Sequence, residues 1–273
     1  MKKRKGITDR DVEVWLSQGL GQGEGNDFKP ALRVQDVPSD GEGWEAPVLL
    51  HREREHPHQF LSRLEMTTGF VYDWLGAKQI REQYAVLSST KDRSETIEIA
   101  DRLGIRHPCY RGTRTNIIVT TDMVVTMPGN KAVAVYCKPR ALLDPATAKG
   151  RRNIEKRSIE EIYWSRRPNT TFEVVDEFTY PEVLKQNLCD VRGRLFQFEH
   201  DHLVPREPEA VRLFMACWSV SRCLHDILCD VIAKMGLLPL QAANLVYRAV
   251  WYGRIPVKLA EARFHPNQLV RLK

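Results

Sequence analysis

The sequence predicts an α/β protein: an α-β-α sandwich with a mixed sheet, followed by a mainly helical module of winged-helix outline. Three observations predict it. Two β-rich runs, around Ile117–Asp122 and Ala132–Lys138, flank a turn at Met127-Pro-Gly-Asn130, which marks a hairpin. Helix-patterned segments at Leu61–Leu75 and Ala146–Trp164 stand before and after that hairpin and supply the two outer layers. From Pro181 onward the rhythm becomes helical, so the chain is expected to divide into residues 1–178 and 179–273.

The elements follow in order. Thr8 with Asp11 three residues on reads as a helix start, with Val12, Trp15 and Leu16 as its apolar stripe. The glycine-rich run Gly19–Gly25 ends that helix. A dinucleotide fingerprint needs a strand before it and a helix after it, so this run is expected to be a loop. The helix Leu61–Leu75 carries Glu65 near its buried side, and Ile80–Leu87 is a strand. Glu82 and Gln83 on that strand are expected to be a satisfied edge-strand pair, with a supporting place behind a site as the alternative. Ser94–Leu103 is a short helix stopped at Gly104, and Thr171–Val175 is the last strand. In the second part, Glu207–Met235 is one long helix or a bent pair with Leu213, Phe214, Trp218, Leu224, Ile227 and Val231 as core. Gln241–Trp251 is the next helix, and Gly253–Leu259 runs extended as the expected wing.

Charge and composition bound the class. Lys and Arg number 41 against 35 acids, a net charge of +6 that suits a polyanionic partner. Basic clusters fall at Lys2–Lys5, at Lys149–Arg152 with Lys156 and Arg157, and at Arg166–Arg167; a solvated helix face is the ordinary alternative. The six cysteines contain no Cys-x-x-Cys pair, which excludes the usual zinc frameworks and implies free thiols in a reducing compartment. His56-Pro-His58 and His200-Asp-His202 are expected in exposed loops rather than at a metal. There is neither a membrane-spanning apolar run nor an apolar export signal behind Met1, so a cytoplasmic location without membrane association is expected.

Glu65, Asp122 and Lys138 carry the chemistry. Each alone reads as a helix-surface acid, a strand cap or a solvated lysine. In the order helix Glu, strand Asp, strand Lys, each among apolar neighbours, they match the nuclease fold shared by many restriction enzymes. Two carboxylates hold a hard divalent cation, and a lysine beside them steadies an attacking hydroxide and the charge growing on phosphorus. Period-two alternation puts Tyr136 and Lys138 on one face and Cys137 on the other.

The text around these residues is more specific. Gly19–Gly25 followed by Asp27-Phe-Lys-Pro30, Val34–Ser39, Leu61–Glu65, Ile80–Tyr84, Gly104–Pro108, Thr120–Asp122, Lys138-Pro139 and Tyr163-Trp164 resemble, in order, the TnsA endonuclease subunit of heteromeric DNA transposases. The resemblance runs from about Gly19 to Trp164, continues more weakly through Pro181–Asn187, and is one of pattern only beyond Pro205. It implies a restriction-endonuclease-like fold, Glu65 and Asp122 as metal ligands, Lys138 as the catalytic base or positioner, and Mg²⁺ (replaceable by Mn²⁺) as cofactor. It also implies transposon-end DNA as substrate, with a DDE-type transposase that cuts and joins the 3′ ends and a regulatory AAA+ ATPase as partners. One departure stands out: Tyr136 occupies the position where such nucleases carry an acid and TnsA tends to carry Gln. The Cys137 backbone carbonyl or water is then expected to complete the metal's shell. The rival reading is a non-catalytic winged-helix adaptor with a degenerate nuclease domain.

Overall fold

A computed structural model describes residues 6–36, 44–46, 57–196 and 201–273; the Lys2–Lys5 cluster, His56 and His200 lie outside the described residues. The chain forms two compact units, Met1–Glu177 and Phe178–Lys273.

In the first unit, α1 (Asp9–Ser17) starts on a reciprocal cap: Thr8 Oγ1 accepts from Asp11 N, and Thr8 N donates to Asp11 Oδ2 at 2.8 Å. Two short antiparallel strands, β1 (Trp44–Ala46) and β2 (His58–Phe60), pair with each other and precede α2 (Arg63–Trp74). The main sheet contains β3 (Gln79–Ala85), β4 (Thr120–Met127), β5 (Lys131–Cys137) and β6 (Thr170–Val175), in that spatial order. β3, β4 and β5 are antiparallel neighbours, while β6 lies parallel to β5, so the sheet is mixed as expected. The β4–β5 hairpin turns through Gly129 and Asn130, both with positive φ, which the Pro-Gly-Asn sequence supplies with little strain.

The β5-to-β6 crossover is α4 (Ala148–Ser165), capped by Thr147, whose Oγ1 accepts from Gly150 N at 2.9 Å. With α3 (Ser94–Arg102) it covers one face of the sheet. Ile99, Ala100, Ile159, Tyr163 and Trp164 close over Val119, Val124 and Ala134 there, all buried. α2 packs on β4 and on β2, where Gly69 admits the Phe60 ring: a Cβ at that position would lie 2.6 Å from Phe60 Cζ. The layers are thus helices, a mixed sheet and helices, the sandwich the hydrophobic pattern predicts.

The second unit is helical: α5 (Glu182–Phe196), α6 (Glu207–Cys217), α7 (Leu224–Met235) and α8 (Pro239–Trp251). The expected long helix is the bent pair α6 and α7. Trp218 leaves helical geometry as the C-cap of α6, at φ −71° and ψ 139°, and its indole donates to Val270 O at 3.0 Å. Phe214, Leu224, Ile227 and Val231 are fully buried as predicted. Gly236 ends α7 in the left-handed region, and α8 begins at Pro239, whose missing N–H costs nothing in a first turn. The expected wing is not a strand pair: among the described residues after α8 only the isolated bridges Cys223↔Leu269 and Val257↔Leu272 form. Buried Glu207 is held by Arg248 Nε at 2.8 Å and by Arg254. Among the described residues, no helix is long and apolar enough to cross a membrane.

Candidate active site

The site lies where β4 and β5 part. Their ladder starts at Met123↔Val135, so Asp122 and Tyr136 fall just beyond it. There the Asp122 side chain replaces a backbone acceptor, and Oδ2 takes the Cys137 N–H at 2.7 Å. β5 stays tied to β6, and Lys138 N donates to Val175 O at 2.9 Å. Lys138 Nζ sits 5.6 Å from the Tyr136 ring centre, which puts the two side chains on one face as alternation requires. The Cys137 thiol is buried on the other face, beside Thr68 of α2.

Glu65 comes from the first turn of α2. Ser62 caps the helix, its Oγ accepting from Glu65 N at 3.2 Å and donating to Glu65 Oε1 at 2.9 Å. Glu65 Oε2 accepts from Leu61 N at 3.0 Å and from Gln83 Nε2 at 3.1 Å. The cap that starts the helix therefore also aims the carboxylate.

Glu65, Asp122 and Lys138 all act on one another electrostatically. Burial, and then the charge of Asp122, push the Glu65 pKa up to about 8, against the hydrogen bonds from Leu61 and Ser62 and the attraction of Lys138. Burial also raises Asp122, opposed first by Lys138, then by the Cys137 N–H and by hydrogen bonding from Gln83. Buried Glu65 and half-buried Asp122 each make the other's charge costly, so the site is short of positive charge.

Two further residues belong here. Gln83 is buried on β3, the edge strand of the sheet, with a left-handed φ of 50°; it falls opposite Asp122 between the pairs Glu82↔Met123 and Tyr84↔Thr121, so it is a satisfied edge-strand residue that also stands behind the site. A non-glycine residue held there costs about 1–3 kcal/mol. Glu160, from α4, was not singled out by the sequence. It is buried and accepts from Thr121 Oγ1 at 2.9 Å, and that hydroxyl accepts from the Trp164 indole at 2.8 Å. Burial and then Asp122 raise the Glu160 pKa well above the usual carboxylate range. A signal for it existed: Glu160 shares a helical face with buried Tyr163 and Trp164, at i, i+3 and i+4. One turn earlier, the Lys156 pKa is lowered by burial and then by Arg152 and Lys138, while Glu160 opposes the shift.

Other expectations resolve differently. His58 is buried in β2, with Nδ1 2.9 Å from Glu82 Oε2, so it is no loop residue; Glu82 also accepts from Gln59 N at 3.0 Å. His202 is exposed, as expected. Arg166 and Arg167 both bind Glu95, Arg167 through two nitrogens, which is a structural role. On α4, Arg152 is engaged by Glu155 and the Arg106 carbonyl, and Arg151 by the Pro145 and Ala146 carbonyls. The glycine-rich segment runs along the edge of β3, where Ala85 N donates to Gly21 O at 3.0 Å.

The donor set fits a hard divalent cation. Two carboxylates with raised pKa, each oriented by hydrogen bonds, would be relieved by a cation between them. Among the described residues, no three His, Cys, Asp or Glu side chains converge to hold a metal unaided.

Buried Glu65 with half-buried Asp122 and Lys138 at the fork of a mixed sheet points to a class: a nuclease-type α/β domain. Residues 77–177 match the model of the TnsA-like endonuclease N-terminal domain. The chain is 32% identical over 194 residues to the transposon Tn7 transposition protein TnsA of Escherichia coli, an alignment covering 68% of this chain and 64% of that relative. These matches support a TnsA-like protein, with a TnsA-like endonuclease N-terminal domain within its first unit. It spans less than two thirds of the length of the relative it matches.

Proposed function

We propose that this protein is the metal-dependent endonuclease subunit of a cut-and-paste transposase, hydrolysing a phosphodiester at the 5′ ends of the transposon. The observation that supports this best is the pairing of buried Glu65 with half-buried Asp122 and with Lys138 beside them, Asp122 and Lys138 lying within the TnsA-like endonuclease match and Glu65 shortly before it. Glu65 and Asp122 would hold Mg²⁺, or Mn²⁺ in its place, with the Cys137 carbonyl, water and a DNA phosphate oxygen completing the shell. When bound, the cation neutralises phosphate charge and lowers the pKa of water. Lys138 positions or deprotonates the attacking water, and the Tyr136 ring under its stem restricts where the ammonium can go. In-line hydrolysis leaves a 3′-hydroxyl and a 5′-phosphate, and no side-chain nucleophile is required.

A DDE-type transposase would cut and join the 3′ ends, and a regulatory AAA+ ATPase would control assembly. The second unit is the candidate docking element for one of them. It exposes Val220 (75%) and Leu238 (66%), along with Met215 and Leu240, which is more apolar surface than phosphate binding uses. The retained Glu65, Asp122 and Lys138 weigh against the non-catalytic adaptor.

The test is nicking of end-labelled transposon-end DNA by the chain together with its cognate transposase. The expected result is 5′-end cleavage with Mg²⁺ or Mn²⁺, none with EDTA, and none from Asp122→Asn. Undiminished cleavage by Asp122→Asn would refute the assignment.

A further inference from the structure

We propose that Gln83 is a positioning residue for the Glu65 carboxylate of the metal-binding pair, and that the segment Gly21–Ala31 beside β3 is the strap that holds it there. This rests on the metal-site reading of Glu65 and Asp122. The backbone shows the device. Within β3, Glu82 pairs with Met123 and Tyr84 with Thr121, yet the intervening Gln83 takes φ 50° and its carbonyl turns out of the ladder to accept Ala31 N at 3.0 Å. Two residues on, the same segment grips β3 again: Ala85 N donates to Gly21 O at 3.0 Å, and Gln22 Nε2 donates to Ala85 O at 3.0 Å. Gly21 sits so close that a Cβ there would clash with Ala85 Cβ, and its own φ is 73°. The segment therefore supplies the donor that keeps the Gln83 peptide turned.

The turned peptide sends the Gln83 side chain to the carboxylates. Its Nε2 donates to Glu65 Oε2 at 3.1 Å and Thr120 Oγ1 donates to its Oε1 at 3.4 Å; an ionised carboxylate only accepts, so the NH₂ end of the amide faces Glu65. Glycine would relieve the backbone, so a glutamine here implies that its amide is used. A neutral donor suits this position, because it orients the Glu65 carboxylate without adding a charge that competes with the cation or repels it.

The experiment measures Mn²⁺ binding to the full chain by calorimetry without DNA, thermal stability in EDTA, and the Mg²⁺ dependence of end nicking with the transposase. Gln83→Gly removes the amide and eases the backbone; it should bind Mn²⁺ about 10–100-fold more weakly, melt no lower than the wild type, and recover nicking at high Mg²⁺. Gly21→Ala should shift Mn²⁺ affinity in the same direction from outside the site. Gln83→Asn, which tolerates positive φ and keeps a shorter amide, should fall between and replaces the glycine variant should that one not fold. Wild-type Mn²⁺ affinity in Gln83→Gly or in Gln83→Asn overturns the positioning role alone. Absence of Mn²⁺ binding by the wild type, or undiminished binding by Asp122→Asn, overturns the metal site and this proposal with it.

Discussion

Replacing Glu65 by Gln should make the metal-free protein more stable while ending its activity. The Glu65 pKa rises from 4.5 to about 8 on folding, because burial and Asp122 penalise the charge. Between those values the folded chain binds more protons than the unfolded one, so its stability falls as pH rises. At 1.36 kcal/mol per pH unit the burden is nil below pH 4.5, about 3 kcal/mol at pH 7 and about 5 kcal/mol above pH 8. Gln resembles the protonated acid. Its oxygen can accept from Leu61 N and Gln83 Nε2 as Glu65 Oε2 does, and its amino group can donate to Ser62 Oγ. Allowing for imperfect replacement of these bonds, we expect a gain of about 1–3 kcal/mol at pH 7, or roughly 2–10 °C in the melting of the first unit. The assay is urea and thermal unfolding in EDTA from pH 4.5 to 8.5, with the gain widening as pH rises. In saturating Mg²⁺ the order should reverse, because only the wild type is stabilised by binding. A Gln variant less stable than the wild type in EDTA at pH 8, or a gain that does not change with pH, would refute the reasoning.

Lys138→Ala should lower 5′-end cleavage by about 10²–10⁴-fold and change stability by less than about 1 kcal/mol, since its ammonium serves the site rather than a core contact; single-turnover nicking and urea unfolding read the two. Glu207→Ala should destabilise the second unit by about 3 kcal/mol, because it leaves the Arg248 guanidinium without the buried carboxylate that binds it; thermal unfolding checks this, and an unchanged melting temperature would show the pair to be idle. Residues 178–273 expressed alone should bind a partner transposition protein and show only weak, steeply salt-dependent DNA binding. Tight, sequence-specific binding of transposon ends at physiological salt, without partner affinity, would reverse that assignment.

Local rules were enough for much of this protein. The Thr8 cap, the turn at Gly129-Asn130, the stops at Gly104 and Gly236 and the strand alternation around Cys137 depend on neighbours a few residues away, so the sequence by itself determined them. Glu65 was legible as an acid on the buried side of a helix too apolar to leave it in water, whereas the Ser62 cap that aims it came from the structure. The tertiary structure alone decided what depends on distant chain. Gln83 reads as an ordinary strand residue until Ala31, some fifty positions earlier, captures its carbonyl. His58 reads as a loop histidine until Glu82 arrives beside it, and Arg167 as a solvated cation until Glu95 does. Glu160 reads as one acid in a charged helix until the crossover lays α4 over Thr121. Periodicity records which face of an element is buried, whereas the partner of a buried polar group is set by packing between segments far apart in sequence.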